Sequence, residues 1–303
     1  MNLPCGIVPV LQTPFDGRGA VDSASVERLV ADAIKAGADG FLVPAVASEV
    51  AYLKPDERRE IVRRVLAMTS GGVPVIVGAS DNDPTEVRRL TKEGIELGAS
   101  AVLIAVPMEC YSDPERLVPF FREATRGCEL PVVIQDLEFQ GAGLSLDQMR
   151  KLSEAIPQIA GWKIETVPSG PKYTAVREAF GKECHISGGW AVPQLIEALD
   201  RGVDAMIPEA SMVRVYQAIR GRYLRGERQG AVELFHRLLP VLAFTNQEIR
   251  TSIAFFKRLL VRKGVFRSEE MRWPGFRWDA YNERIADELI EQYLAIEGEV
   301  GTG

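Results

Sequence analysis

A lysine and a glutamate lie two residues apart in the short apolar run at 161–166, where Ile164 separates Lys163 from Glu165. The run is typical of a β-strand, and side chains alternate between the faces of a strand, so Lys163 and Glu165 point the same way. Burial disfavours the charged form of an amine, and a neutral amine can attack a carbonyl carbon to form a Schiff base. The neighbouring carboxylate could transfer protons. The run predicts imine chemistry, with a solvated salt bridge on an edge strand as the alternative.

The composition of the chain limits the classes of partner, metal site and cellular compartment to be expected. The chain has 303 residues, a formal net charge of −6, 46% hydrophobic and 26% charged residues. This is typical of a soluble globular protein, and no basic block or long apolar run predicts a nucleic-acid partner or a membrane span. With two histidines and four scattered cysteines, we expect no metal site, and we interpret the cysteines as small buried hydrophobic residues. No secretory signal is expected at the start, and the predicted compartment is the cytoplasm.

Short apolar strands alternate with amphipathic helices through about residue 225. The predicted strands are 6–12, 41–44, 73–78, 101–105, 132–135, 161–166, 185–187 and 205–208. The predicted helices are 22–36, 55–68, 85–97, 114–125, 146–155, 170–180, 192–201 and 212–225. Eight buried strands with crossover helices predict an α/β fold, a closed parallel (β/α)8 TIM barrel, with a doubly wound open sheet as the alternative.

The sequence changes character after about residue 227. Three helical patterns follow without strands between them, at 229–243, 247–263 and 279–296, and a loop is predicted at 266–277. We therefore divide the chain into a barrel catalytic domain, residues 1–226, and a C-terminal three-helix extension, residues 227–303, packed on the barrel. Such an extension covers a barrel face or builds an oligomer interface.

Polar residues follow several predicted strands at their carboxyl ends, where the active sites of such barrels lie. Besides the lysine strand, this set contains Gln12, Thr13, Ser48, Glu49, Gln135, Asp136, Ser187, Gly188 and Glu209. Structural explanations compete for some of them. Ser48 and Glu49 could cap the following helix, Asp136 could form a turn before a glycine-rich loop, and Trp190 could pack at the barrel mouth.

The chain resembles the dihydrodipicolinate synthase/N-acetylneuraminate lyase superfamily over essentially its whole length. The resemblance is carried by the lysine strand, Thr13-Pro14-Phe15, the Gly-Ala-Asp-Gly turn at 37–40 and the strand at 73–78. It implies a Schiff-base-forming barrel with a C-terminal helical tail, in which Lys163 is the Schiff-base lysine. It also implies a homotetramer, or a dimer of the same building block, in which Tyr111 could reach a neighbouring subunit's site.

Two of the departures from the superfamily pattern bear on substrate binding and proton transfer. The superfamily usually has Gly-Thr-Thr-Gly-Glu after the second strand, where this chain has Ala-Val-Ala-Ser-Glu at 45–49. We expect the backbone N–H groups of Ala47 and Ser48, with the Ser48 hydroxyl, to hold the substrate carboxylate. A catalytic tyrosine usually ends the fifth strand, where this chain has Gln135 followed by Asp136. Since an amide cannot act as a general acid or base, a tyrosine-relayed synthase or sialic-acid lyase mechanism is disfavoured.

The same departures resemble the L-2-keto-3-deoxyarabonate dehydratase-like branch. That branch has Ser-Glu after the second strand, Gln-Asp at the end of the fifth and Lys-Ile-Glu-Thr on the sixth, all found here. The branch implies that a glutamate two residues after the lysine transfers protons, which matches Glu165. A second glutamate expected on the seventh strand is replaced by Ser187, and Glu209 could compensate for it.

The resulting hypothesis is a Schiff-base lyase that dehydrates a 2-keto-3-deoxy sugar acid such as L-2-keto-3-deoxyarabonate. Lys163 forms the imine and serves as the electron sink, so no metal or organic cofactor is needed, and Glu165 moves the protons. The predicted substrate-binding residues are Ala47, Ser48, Gln135, Asp136, Ser187 and Gly188. The alternatives are a pyruvate-dependent aldolase or dihydrodipicolinate synthase-like condensing enzyme, and a non-catalytic paralogue that binds keto acids.

Overall fold

The computed structural model describes residues 3–138, 141–189 and 192–301. Its strands are β1 (Gly6–Ile7), β2 (Phe41–Val43), β3 (Val75–Gly78), β4 (Ala101–Ala105), β5 (Val132–Glu138), β6 (Ile159–Thr166), β7 (His185–Gly188) and β8 (Ala205–Met206). They form one parallel sheet in the order β1-β8-β7-β6-β5-β4-β3-β2. Trp190 lies outside the described residues.

The two ends of the sheet meet at Val10. This residue forms parallel bridges with Leu42 on one side and with Glu209 on the other. The Leu11 N–H also donates to the Leu42 carbonyl at 3.2 Å. A sheet whose first strand is bridged to both neighbours closes on itself, so the predicted TIM barrel is confirmed and the open sheet is excluded.

Helices connect consecutive strands and cover the outside of the barrel. They are α1 (Ser23–Lys35), α2 (Pro55–Thr69), α3 (Pro84–Leu97), α4 (Met108–Ser112), α5 (Leu117–Ala124), α6 (Leu146–Ala155), α7 (Ser169–Phe180), α8 (Leu195–Asp200) and α9 (Val213–Leu224). Asp22 caps α1 by accepting a hydrogen bond from the Ser25 N–H at 3.1 Å. The short helix α4 was not predicted.

Strand lengths differ from prediction where proline interrupts the ladder. The predicted strands 6–12 and 205–208 are shortened to β1 and β8, because Pro9 and Pro208 have no N–H to donate. In contrast, β5 continues to Glu138, three residues beyond its predicted end. This extension carries the strand past Gln135 and fixes which face each following residue occupies.

The barrel interior is filled by a small apolar cluster. Its members are Val8, Val10, Leu42, Ile76, Ala101, Leu103, Val133, Ala205 and Ile207. Val133 precedes Gln135 by two residues on the same face of β5, so the cluster lies on the amino-terminal side of the polar groups. Polar side chains therefore occupy the carboxyl end of the barrel, where sites are built in this fold.

The C-terminal extension consists of α10 (Arg228–Thr245), α11 (Ile249–Arg262) and α12 (Ala280–Gly301). Tyr216 on α9 and Phe256 on α11 belong to one continuous hydrophobic core, so the extension packs directly on the barrel. The boundary at 226/227 stays a prediction. Within the described ranges, no helix has the length and apolar character needed to cross a membrane.

The four cysteines are free in the structure. Cys110 and Cys128 are buried, as predicted, whereas Cys184 is half-buried and Cys5 is exposed. Cys5 lies between two buried residues just before β1, and the alternation of extended backbone turns its side chain to solvent.

Candidate active site

Lys163 and Glu165 form a buried ion pair on β6. The lysine Nζ lies 2.6 Å from Glu165 Oε2, and the two residues are 3% and 8% exposed. Strand alternation places both on the inner face of the barrel, with the apolar Ile164 between them turned to the outer core. The salt bridge on an exposed edge strand is therefore excluded, because β6 lies between β5 and β7 and the pair is enclosed.

Gln135 completes this pair from the neighbouring strand. It is directly opposite Lys163 in the β5–β6 register. Its Nε2 donates to Glu165 Oε2 at 2.5 Å, so a single carboxylate oxygen accepts from both the lysine and the amide. The amide cannot transfer a proton itself. It holds the carboxylate against the amine.

Gly189 allows the close packing around the pair. A Cβ at this position would overlap Glu165 Oε1 and come within 2.9 Å of Lys163 Cε. The backbone therefore approaches the two functional side chains as closely as only glycine permits. The sequence analysis predicted Gly188 as the site residue, and no feature of the sequence distinguished it from Gly189.

The ion pair lines a cavity with an empty volume of about 560 Å³, its open mouth included. Three of the lining residues, Ile249, Ser252 and Phe256, come from the C-terminal extension, which therefore builds part of the site. The complete lining is Val10, Ala45, Val46, Ala47, Gln135, Leu137, Lys163, Glu165, Ile207, Pro208, Glu209, Ile249, Ser252 and Phe256.

Residues 45–47 of the turn after β2 line one side of the cavity. Ala47 lines the cavity. Ser48 is fully buried, and its hydroxyl donates to the Leu11 carbonyl at 2.6 Å and accepts from the Ala45 N–H at 3.0 Å. The Ser48 N–H donates to the Ala45 carbonyl at 2.9 Å. The structure thus places the Ser48 groups within the turn instead of in the cavity, because they hold the turn's own backbone.

Ser187 lies next to the lysine on β7. It is opposite Lys163 in the β6–β7 register and is fully buried. Within the described residues, its hydroxyl oxygen has no hydrogen-bond partner. The structure therefore places this predicted residue on the lysine side of the sheet with an unused hydroxyl.

Asp136 faces away from the cavity, in contrast to the expectation from its position at the strand end. It follows the inward Gln135, so alternation turns it to the outer face of β5. There it forms an ion pair with Lys172, accepts from the Tyr111 hydroxyl at 2.8 Å and accepts from the Leu144 N–H at 3.1 Å. Asp136 anchors the following glycine-containing loop, which is the structural explanation that its sequence position had left open.

Tyr111 is held within its own chain. Its hydroxyl donates to Asp136 and accepts from the Leu137 N–H at 2.9 Å. Burial, as the largest cause, raises the pKa of Tyr111 far above its ordinary value. The expectation that this tyrosine reaches a neighbouring subunit's site does not agree with these contacts, because both hydroxyl functions are already used.

Gly188 also lies on the outer face of its strand. A Cβ there would overlap the Tyr173 hydroxyl on α7. Burial raises the pKa of Tyr173 to about 12, and the strand separates its ring from the cavity. Gly188 therefore serves the packing of α7 against β7, and its predicted contact with substrate is not compatible with this orientation.

Glu49 forms a second buried ion pair, which the sequence did not reveal. Its carboxylate pairs with Lys257 of α11, and both side chains are fully buried. It also accepts from the N–H groups of Arg272 at 2.8 Å and Trp273 at 3.0 Å. Burial lowers the pKa of Lys257 to about 8, although Glu49 raises it. Instead of capping a helix, Glu49 ties the turn after β2 to the extension.

The sequence contains a signal for Lys257 but none for its partner. Lys257 follows Phe255 and Phe256 and precedes Leu259 and Leu260, so a charge interrupts an apolar helix face. Nothing in the sequence identifies its partner 208 residues away. Within the described ranges, no three His, Cys, Asp or Glu side chains are grouped so that they could hold a metal ion.

The fold and the site define a class of protein. A closed (β/α)8 barrel carries, at the carboxyl end of its strands, a buried lysine in contact with a carboxylate. A buried amine next to a carboxylate has the chemical groups needed for imine formation and proton transfer.

Comparison with known proteins identifies the family. The Dihydrodipicolinate synthetase family matches residues 3–292. The chain is 28% identical to L-2-keto-3-deoxyarabonate dehydratase of Azospirillum brasilense over 275 residues, covering 89% of this chain and 88% of that protein. It is 27% identical to 4-hydroxy-tetrahydrodipicolinate synthase 2 of Halalkalibacterium halodurans, covering 78% and 81%. The chain belongs to the dihydrodipicolinate synthetase family, and it is an enzyme of the lyase class.

Solved structures agree in fold. The dihydrodipicolinate synthase of Rhodopseudomonas palustris superposes with a TM-score of 0.87 at 23% identity, covering 96% of this chain and 97% of that chain. The sialic acid aldolase of Ruminococcus gnavus also gives a TM-score of 0.87, at 16% identity, covering 97% and 98%. The barrel with its helical extension is therefore common to proteins whose names describe different reactions.

Proposed function

We propose that this lyase dehydrates a 2-keto-3-deoxy sugar acid, with L-2-keto-3-deoxyarabonate as the reference compound, through an imine on Lys163. The observation that carries the proposal is the contact of Glu165 Oε2 with both Lys163 Nζ, at 2.6 Å, and Gln135 Nε2, at 2.5 Å. One carboxylate is thereby fixed beside the amine, and the position of a tyrosine relay is filled by an amide.

Proton transfer between Lys163 and Glu165 assists imine formation. Glu165 takes a proton from the Lys163 ammonium, and the neutral amine attacks the C2 ketone of the substrate. Loss of water from the resulting carbinolamine, with Glu165 returning the proton, gives the iminium. The apolar wall of Val10, Ile207 and Phe256 limits water at this step.

Elimination follows from the electron demand of the iminium. The positive nitrogen acidifies the C3 protons, and Glu165, held next to that nitrogen, removes one to give the enamine. The enamine electrons then break the C4–O bond, and the 4-hydroxyl group takes up a proton and leaves as water. Hydrolysis of the imine releases the product and restores Lys163. Because the lysine serves as the electron sink, the proposed reaction needs no metal or organic cofactor.

Substrate contacts are assigned to residues that line the cavity. The turn that contains Ala47 is proposed to hold the substrate carboxylate through its backbone, and Gln135 is proposed to hold the oxygen at C2 or C4. Ser252, at the far wall on α11, provides a hydroxyl for the polyol end.

The position of Glu165 beside Lys163 favours dehydration over the aldolase and condensation reactions. All three reactions use the same enamine, and they differ in which bond the electrons break or form. In this chain the group beside the amine is a carboxylate, which can accept the C3 proton, and Gln135 stands where the resemblance places a relay tyrosine. The 28% identity to the Azospirillum brasilense dehydratase supports the same choice.

Product analysis by NMR tests the proposal. The purified protein is incubated with L-2-keto-3-deoxyarabonate, and separately with pyruvate plus glycolaldehyde and with pyruvate plus aspartate semialdehyde. We expect loss of water from the sugar acid without release of pyruvate. Pyruvate and glycolaldehyde as products would establish the aldolase instead, and consumption of aspartate semialdehyde would establish the condensing enzyme. A homo-oligomeric state and a cytoplasmic location stay predictions.

A further inference from the structure

Glu209 is a second carboxylate in the same cavity, and the reaction steps above do not use it. It follows β8, forms the bridge with Val10 that closes the barrel, and lines the cavity together with Lys163 and Glu165. It is 5% exposed. It belongs to the inward series Ala205, Ile207, Glu209, because alternate residues share a face.

The surroundings of Glu209 differ from those of Glu165. Glu165 contacts the lysine directly, whereas within the described residues no cation lies within ion-pairing distance of Glu209. Its neighbours in the cavity wall include Ile207 and Phe256. Burial, as the largest cause, raises the pKa of Glu209. Two carboxylates with such different surroundings suit opposite tasks in proton transfer.

Four neutral donors surround the Glu209 carboxylate. The Ser211 N–H and hydroxyl each donate to Oε2 at 2.5 Å, and Gln12 Nε2 donates to the same oxygen at 3.3 Å. The Met212 N–H donates to Oε1 at 3.0 Å. These donors would stabilise the anion that remains after Glu209 has released a proton, since hydrogen bonds to a charged oxygen are strong.

We propose that Glu209 is the acid that protonates the 4-hydroxyl group as it leaves. This inference rests on the proposed function. Hydroxide is a poor leaving group, so breaking the C4–O bond requires a proton on that oxygen. In the proposed step, Glu165 receives the C3 proton, the C4–O bond breaks, Glu209 gives its proton to the departing oxygen, and water leaves. A proton then returns from Glu165 to Glu209 through water, which balances the cycle.

The division of labour follows from geometry. Glu165 Oε2 already accepts from Lys163 and from Gln135, so it stays beside the imine nitrogen. Glu209 follows β8, which lies two strands from β6 in the sheet order, so the two carboxylates act from different walls of the cavity. A group that only capped the start of α9 would have no need to line the cavity.

The test compares two leaving groups in wild type and Glu209→Gln. The substrates are L-2-keto-3-deoxyarabonate and its 4-deoxy-4-fluoro analogue, because fluoride can leave without a full proton transfer. We expect elimination of the hydroxyl to fall about 100- to 10,000-fold, while fluoride release and borohydride-trapped imine stay at wild-type levels. An equal loss with both substrates, or no loss with either, overturns the assignment.

A second variant and imine trapping on the wild type serve as controls. Glu209→Asp retains a carboxyl group but withdraws it from the cavity by the length of a methylene group, and it must show the same difference between hydroxyl and fluoride if Glu209→Gln does not fold. If the wild type and both variants form the imine and eliminate both leaving groups at equal rates, the role of Glu209 is refuted and the proposed function stands. Wild-type protein that forms no imine with either compound refutes the proposed function and this inference together.

Discussion

The carboxylate of Glu165 lies 2.6 Å from the amine of Lys163 inside the barrel, and the two residues are neighbours on one face of a single strand. Their distance is therefore set by the two-residue repeat of β6 and does not depend on a loop. A rigid strand holds the base beside the nucleophile, which is the requirement for repeated proton exchange between them.

Replacing Glu165 by glutamine should remove proton transfer while keeping the shape of the side chain. We expect the dehydration rate to fall about 100- to 10,000-fold, since the amide cannot accept the C3 proton. Steady-state kinetics with the sugar acid measures the loss. Glu154→Gln, on the exposed side of α6, is the matched control and should keep the wild-type rate. A rate within a factor of about three of wild type, well below the usual general-base effect, would contradict the role of Glu165.

Gly189→Ala should disable the site through geometry alone. Its Cβ would overlap Glu165 Oε1 and press on Lys163 Cε, so the ion pair must separate or rotate. We expect loss of most activity with a folded barrel by circular dichroism. Gly230→Ala in α10 is the control, because its Cβ finds the nearest atom at 3.9 Å. Full activity of Gly189→Ala would show that the pair is not held as described.

Breaking the second ion pair should destabilise the protein more than it alters the chemistry. Lys257→Met leaves the Glu49 carboxylate buried without its cation, which typically costs about 3–5 kcal/mol in the free energy of unfolding. The double variant Glu49→Gln/Lys257→Met should recover a large part of that loss. Urea unfolding at neutral pH measures both. If the double variant is as unstable as the sum of the single variants, the two side chains do not interact as a pair.

Part of this site could be predicted from the sequence. The common direction of Lys163 and Glu165 followed from alternation along one recognisable strand, and Gln135 was selected because it ends the predicted fifth strand. Asp136 and Gly188 were assigned to the substrate because they end strands. The same alternation, applied strictly, would have placed both on the outer face once the strand boundaries were known.

The remaining features depend on contacts between distant parts of the chain. Glu49 and Lys257 are 208 residues apart, and the Ile249, Ser252 and Phe256 wall exists only because α11 packs over the barrel mouth. The Ser48 hydroxyl donates to the carbonyl of Leu11 in the segment that follows β1. No periodicity within one segment encodes such pairings, so these residues required the structure.

The Glu57–Arg272 ion pair should make stability depend on pH in the acid range. Hydrogen bonding to Arg272 lowers the pKa of Glu57 from its ordinary 4.5 to about 2. Because the folded-state pKa is the lower one, the stabilisation is complete above pH 4.5 and is lost as the pH falls toward 2. We expect Glu57→Gln to cost about 1 kcal/mol at neutral pH.

The comparison of wild type with Glu57→Gln at several pH values checks this prediction. Their difference in the free energy of unfolding should shrink as the pH falls through this window. A difference that stays constant down to about pH 2 would show that Glu57 contributes through packing instead of charge.

Borohydride trapping tests most directly whether Lys163 forms an imine with a 2-keto acid. The protein is incubated with L-2-keto-3-deoxyarabonate, reduced with borohydride, and analysed by intact-mass spectrometry and peptide mapping. We predict one adduct per chain, located on Lys163, with the mass of the dehydrated sugar acid, and no adduct on Lys163→Ala. The absence of any adduct, or an adduct on the other buried amine, Lys257, would contradict the account.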